Sequence, residues 1–400
     1  MKRISEGALL LFPLSPVISL LLACCNLMNK ANSLLFVLFY GIFGFAHSFV
    51  DVRADCYRKM EAFNQFPEYM TFGDVWREYM DGETLDVFEG FLFVFCKSFT
   101  MNPKVLLFIV GLIGGTFAVM TVRLILKYSG SHMNGYAYAL TLFLILFFNP
   151  VAIGGIRNFV AMTVFAFFAF KFLLEKRNLA IIGLLSCVFI HFSFFLNIAV
   201  VVCARMFISD KHNKLWWWMA VGAIVSSLFV TPEFWKGLIG NLNLQTYNGA
   251  IGYRAESYAS DEAASEFGKS LTVRLLAIGN YFIKVFYLVV LWYFKKHWDK
   301  TQMGNFDNML YTHTLFFLSF GYIMSSFSVV GGRYLFFGKI LFCFLLIRLC
   351  TTSSPLTHVK RYVGYMPLAF FMNIAWLAAN SWFVLDHRFF YAPVPFLLLN

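Results

Sequence analysis

Acidic residues are scarce in this 400-residue chain: 21 Asp and Glu stand against 32 Lys and Arg, and charged residues make up only 13% while 60% are hydrophobic. A soluble domain of this size does not need that much apolar surface for one core, so the excess faces lipid. No Asp or Glu falls inside any long apolar run, whereas proton-coupled carriers usually keep carboxylates within their spans. The sequence has no H-E-x-x-H, no paired C-x-x-C, no P-loop and no G-x-S-x-G. Metalloprotease, ATPase and serine-hydrolase chemistry therefore has no support. Most of the eight cysteines lie within apolar runs, where a thiol behaves as a small hydrophobe, and their spacing gives no disulfide or zinc framework. The net charge of +11 comes from small clusters between apolar runs rather than from one basic face or tail. Such a pattern sets membrane topology and does not call for nucleic acid.

What the chain does have is apolar runs of bilayer length, about 20 helical residues for a hydrocarbon core of about 30 Å. They fall at about 8–25, 33–50, 104–126, 136–153, 156–174, 179–191 with 193–208, 215–231, 273–295, 308–329, 332–350 and 362–384. The expected fold is an all-α, polytopic integral membrane protein with about 12 transmembrane helices, forming a single membrane domain over 1–400. Lys2 and Arg3 precede an apolar stretch without a small-residue cleavage site, which reads as a retained first span. Two polar segments, 51–89 and 232–272, interrupt the series. The stretch FEGFLFVFCKSFTM is too short to span and reads as an interfacial or re-entrant helix, and the C-terminal DHRFFYAPVPFLLLN is similar in character.

The basic clusters at Arg123/Lys127, Lys176/Arg177, Lys211/Lys214, Lys295/Lys296 and Lys360/Arg361 share the cytoplasmic side if 179–208 crosses twice, with a turn at His191-Phe192-Ser193. Both polar segments then lie outside, as do Lys2 and Arg3, against the rule. Arg53, Arg157, Arg254 and Arg333 gather at that outer mouth, two of them just after a Gly-Gly pair. Glycine lets backbone N–H groups approach a ligand and arginine offers a forked donor to phosphate oxygens, so the pattern suits pyrophosphate. Snorkelling to headgroups, or pairing with a loop carboxylate, is the alternative for each arginine. Lys284 and Lys339 lie inside spans, Lys339 about 9 Å inward from Arg333 along a helix. Asp55 is a candidate base, with an N-cap or a salt bridge to Arg58 as its structural alternative. His191 is the second candidate, with a satisfied core histidine as its alternative.

The segments ADCYRKMEAF, DVFEGFLFVFCKSFTMNPKVLLFIVGLIGG, NPVAIGGIRNFVAMTVFAFFAF, FIHFSFFLNIAV and GGRYLFF, in this order, resemble the Wzy-type polysaccharide polymerases and in particular their EpsG-like branch. The R-x10-G pattern of some such polymerases is missing, since Phe168 and Phe344 stand eleven residues after Arg157 and Arg333. The resemblance implies a glycosyltransferase-C-like membrane enzyme. It would polymerise undecaprenyl-pyrophosphate-linked repeat units of O-antigen, capsule or exopolysaccharide at the outer face of the bacterial inner membrane. No cofactor, metal or nucleotide sugar is implied, and a flippase and a chain-length regulator are its expected partners. On this reading Arg157, Arg333, Arg254 and Lys339 meet phosphates and acidic sugars, and Asp55 or His191 moves the proton. Tyr57, Tyr258 and Tyr334 stack on sugars, and Arg53, Asn158 and Ser193 complete the substrate contacts. A lipid-linked-oligosaccharide flippase, or an acyltransferase or ligase acting on the same polysaccharide, shares the cationic mouth and stays open as an alternative.

Overall fold

In hydrocarbon each backbone N–H and C=O must find its partner within the segment, so the apolar runs coil into helices. The computed structural model describes residues 2–49, 55–130, 134–208, 213–229, 271–298, 303–325, 331–352 and 358–398. Among these residues there is no strand, only one isolated β-bridge between His47 and Leu385. The helices are α1 (Lys2–Leu11), α2 (Pro16–Ala23), α3 (Lys30–Phe45), α4 (Asp55–Gln65), α5 (Phe72–Met80), α6 (Phe88–Lys97), α7 (Pro103–Tyr128), α8 (Gly135–Phe147), α9 (Ile156–Leu173) and α10 (Ala180–Ile190). After them come α11 (Phe194–Phe207), α12 (Asn213–Ser226), α13 (Leu271–His297), α14 (Asn305–Met324), α15 (Gly331–Thr351), α16 (Val359–Val363), α17 (Met366–Val384), α18 (Arg388–Tyr391) and α19 (Val394–Leu398).

Six stretches among the described residues are long and apolar enough to cross a membrane: Pro103–Tyr128, Gly135–Gly154, Ile156–Leu173, Leu276–His297, Gly331–Thr351 and Val359–Val384. Shorter apolar helices accompany them at Pro16–Asn26, Lys30–Phe45, Ala180–Ile190 and Phe194–Phe207. The protein is an all-helical, polytopic membrane protein. The run at 8–25 differs from a single span, because Pro13 and Pro16 break it into α1 and α2. Ser15 caps α2 by accepting the Ile18 N–H, Pro16 occupies the first turn, and Ser19 Oγ donates to the Ala8 carbonyl at 2.6 Å to hold the pair together. The break expected at His191 is present: α10 ends there in extended backbone, and α11 starts at Phe194.

The chain divides into two compact units, residues 1–128, 144–201 and 378–400 in the first, and 129–143 and 202–377 in the second. In the first, α7 lies between α3 and α9, and α10 packs on α9. The α3–α7 crossing is backbone on backbone. A methyl at Gly111 would fall 2.2 Å from the Tyr40 carbonyl oxygen, and one at Gly44 would fall 2.2 Å from that of Leu107. Gly111→Ala should therefore force the helices apart and cost at least about 1–3 kcal/mol, while Gly135→Ala, where the methyl meets nothing within 4 Å, should not. Thermal melting of the detergent-solubilised variants checks this; equal midpoints would reject the close crossing.

In the second unit, α14 packs between α12 and α15. Asp307 and Arg348 form an ion pair, with the guanidinium also 4.7 Å from the Phe306 ring centre. Lys295 sits over Trp217 and Trp218 at 4.0 and 3.7 Å.

Candidate active site

The approach to α9 is shaped by a short turn. Asn149 accepts the Val151 N–H at 2.9 Å to start a 3-10 turn over Pro150–Gly154, and α9 follows at Ile156. Gly154 is buried against α4, and a methyl there would sit 3.1 Å from the Cys56 Cβ. The Gly-Gly pair thus admits a neighbouring helix; its close approach is to protein backbone. It also delivers Arg157 into the first turn of α9, facing the start of α6.

That start is carried by α5. A reciprocal capping box between Thr71 and Asp74 opens α5. Gly82, at φ 79°, reverses the chain after α5 in a left-handed conformation that glycine adopts without strain. The loop is then pinned where the Val87 N–H donates to the Phe189 carbonyl of α10 at 3.1 Å. Gly90 allows α6 to press on α5, since a methyl would fall 2.6 Å from Val75 Cγ1.

These supports bring five polar side chains together in the first unit. Arg157 Nη1 donates to both oxygens of Asp86, at 2.9 and 3.1 Å, and its Nε lies 3.0 Å from Glu89 Oε2. Lys59 Nζ grips the same Glu89 at 2.6 and 2.8 Å. His191 Nδ1 is 3.6 Å from Asp86 Oδ2. Asp86 is 2% exposed, His191 7% and Arg157 23%. Burial alone would raise the pKa of Asp86, but the nearby His191 ring and the Arg157 guanidinium that donates to both its oxygens outweigh it and hold the carboxyl below the usual carboxylate range. Two carboxylates face two fixed cations, so the cluster is neutral with an uncharged His191. Beside it, Asn158 Oδ1 is buried with no hydrogen-bond partner among the described residues. Trp76 and Tyr79 of α5 flank the end of α10, with ring centres 6.5 and 6.0 Å from that of Phe189.

Of the residues singled out in the sequence, Arg157 and His191 meet at Asp86, with Asn158 and Ser193 their neighbours in the chain. Asp55 lies beside Gly155, but its carboxylate is taken by Arg58 on the exposed side of α4, which is the salt-bridge alternative. Tyr57 is half-buried on α4. Arg333, Tyr334 and Lys339 belong to α15 in the second unit. There Tyr334 is buried edge-on against Phe320 at 5.5 Å and presents no open face for a sugar. Lys284, on α13, donates to the Ser227 carbonyl at 2.8 Å. Arg53, Arg254 and Tyr258 lie outside the described residues. Sequence reading missed Asp86, Glu89 and Lys59. Their available signal was a pair of carboxylates three residues apart at the head of the apolar FLFVF stretch.

A family model described as the EpsG family matches residues 32–389. The chain belongs to the EpsG family. No curated protein and no solved structure matches it. Membership identifies a membrane protein of the polysaccharide-polymerase type, and the matched region contains every member of the charged cluster.

Proposed function

We propose that this EpsG-family protein is a membrane glycosyltransferase that joins undecaprenyl-pyrophosphate-linked oligosaccharide repeat units into a surface polysaccharide, at the extracytoplasmic face of a bacterial inner membrane. The observation that carries the reading is the buried Asp86–His191–Arg157 constellation at the head of apolar helices.

In the reaction, a hydroxyl oxygen of the acceptor sugar attacks the anomeric carbon of the donor. The bond from that carbon to the pyrophosphate oxygen breaks, and the hydroxyl proton passes to His191 Nε2. Asp86 faces the other ring nitrogen and fixes the tautomer in which Nε2 accepts. The charge balance suits this step. The cluster is neutral before transfer and carries one positive charge once His191 is protonated, as the leaving pyrophosphate gains negative charge beside it. Arg157 and Lys59 enter the transition state already held by Asp86 and Glu89, so little reorganisation is needed. The open flank of Trp76, 44% exposed, offers an apolar face for a sugar ring. A single displacement of this kind inverts the anomeric centre.

Purified protein in liposomes, given a synthetic undecaprenyl-pyrophosphate-linked repeat unit, should produce a ladder of lengthened lipid-linked chains and release one undecaprenyl pyrophosphate per linkage. Translocation of the unit without lengthening would identify a flippase and overturn the reading. The face is tested separately. In a cysteine-free background, Tyr69→Cys, at a position 82% exposed, should react in whole spheroplasts with a membrane-impermeant maleimide. Labelling only after lysis would place the cluster on the cytoplasmic side.

A further inference from the structure

Below the charged cluster an apolar groove of about 630 Å³ runs between α7, α9 and α10. Its α9 wall is the stripe Val160, Val164, Phe168, which continues inward from Arg157 at steps of three and four residues and so shares the face that bears the guanidinium. Its α10 wall repeats the pattern from Ile190 through Ser186 and Gly183 to Leu179, starting one residue from His191. Both walls therefore lead out of the reacting groups. Phe88, between Asp86 and Glu89 in the chain, lines the top, while Ile113 and Phe117 of α7 complete the lining. The one hydroxyl in the lining, Ser186 Oγ, is spent on the Gly183 carbonyl at 2.8 Å, so the wall offers nothing polar. Ile182 stands on the rim, 65% exposed, where the groove opens sideways.

We propose that this groove holds the first isoprene units of the carrier lipid, so that the polyisoprenyl chain descends along α9 and α10 while its pyrophosphate stays at the Arg157 cluster. The inference rests on the glycosyl-transfer reading and adds where the donor's lipid lies. The shape requires an amphiphile with an anionic head directly above a thin apolar tail. The head must also carry the anomeric carbon that His191 serves, which a membrane phospholipid lacks. The length of α10, eleven residues or about 16 Å, admits only the head-proximal part of the chain, leaving the remainder in the bilayer. Lipid tails are as apolar as the groove, so seating the chain gains little affinity. Its effect is register: the tail sets the depth and direction of the pyrophosphate against Asp86 and His191, an orientation that effective-molarity arguments make valuable.

Ile182→Trp, which fills the rim with a residue at home in lipid, tests this in liposomes. Turnover of an undecaprenyl-linked donor should fall roughly 10- to 100-fold, while a geranyl-linked donor, too short to reach Ile182, should turn over as in the unmodified protein. Equal losses on both donors, or none on either, would overturn the groove. A second measurement separates this from failure of the glycosyl-transfer reading, which would appear as no turnover of either donor by the unmodified protein. A diazirine-bearing polyisoprenyl pyrophosphate should crosslink to α9 and α10 whether or not the protein polymerises. Crosslinking there by a diazirine phosphatidylglycerol, with none by the isoprenyl probe, would show a site for ordinary phospholipid and reject the proposal.

Discussion

Replacing His191 with alanine is expected to lower polymer synthesis by roughly 10² to 10⁴-fold, the range by which a positioned proton acceptor accelerates transfer, with the lipid-linked donor still bound. The separation follows from the geometry. The imidazole reaches the carboxylate that orients it, Asp86, at 3.6 Å, but the cations that would meet pyrophosphate are held independently through Glu89 and Asp86. Single-turnover assays should therefore show a loss in kcat at nearly constant KM; a rise in KM alone would mean that the ring binds substrate without moving its proton. Asp86→Asn makes the complementary case. Because Asp86 is held below the usual carboxylate range, it stays ionised at neutral pH and presents its charge to the ring. Removing that anionic partner takes away the support for a developing imidazolium, so the maximal rate should fall although the imidazole is still present. A maximal rate equal to that of the unmodified protein would detach the carboxylate from the ring.

The scale of the fold was legible because bilayer thickness imposes run length, and a run such as 104–126 can do little but form the helix seen at Pro103–Tyr128. The apolar run at 8–25 was a poorer guide, since hydropathy counts side chains and the two prolines act through the backbone. At the site, Arg157 and His191 stood out as polar residues at the ends of apolar helices, each with a structural alternative beside it: a loop carboxylate or headgroup for the arginine, a satisfied core position for the histidine. Asp86 was not. It stands 71 residues from Arg157 in sequence, inside a polar segment where a carboxylate looks ordinary, and only the α5 turn at Gly82 and the Val87–Phe189 bond carry it to α9 and α10. The same folding changes what arginine means here. Read alone, Arg157 was either a donor for phosphate or the partner of a loop carboxylate; in the structure it is the bridge between two acids, the second of these.

That bridging role gives Arg157→Ala the largest expected consequence for stability. The substitution leaves Asp86, 2% exposed, facing His191 as its one charged or titratable partner among the described residues, and leaves Glu89 to Lys59. Breaking a buried pair from one side costs about 3–5 kcal/mol, and the partial exposure of Arg157 puts this case near 3 kcal/mol. The pH dependence should weaken as well. In the unmodified protein the depressed Asp86 contributes stability that is fully present above its unfolded value of about 3.9 and is lost as pH falls through the lower folded value. Without Arg157 two of the effects that lower the Asp86 value are gone while burial and the His191 contact remain, so the folded value rises from its depressed position and the stability that depends on it shrinks; the deficit therefore narrows on acidification. Thermal midpoints of the two proteins should converge as pH falls through the carboxylate range. Arg157→Lys should recover only part of the loss, because a single ammonium cannot span Asp86 and Glu89 as the guanidinium does. Adding Asp86→Asn to Arg157→Ala should restore most of the stability yet none of the polymer. Full-length polymer from that folded double variant would remove both residues from the reaction, leaving the cluster as a structural clasp between α6, α9 and α10.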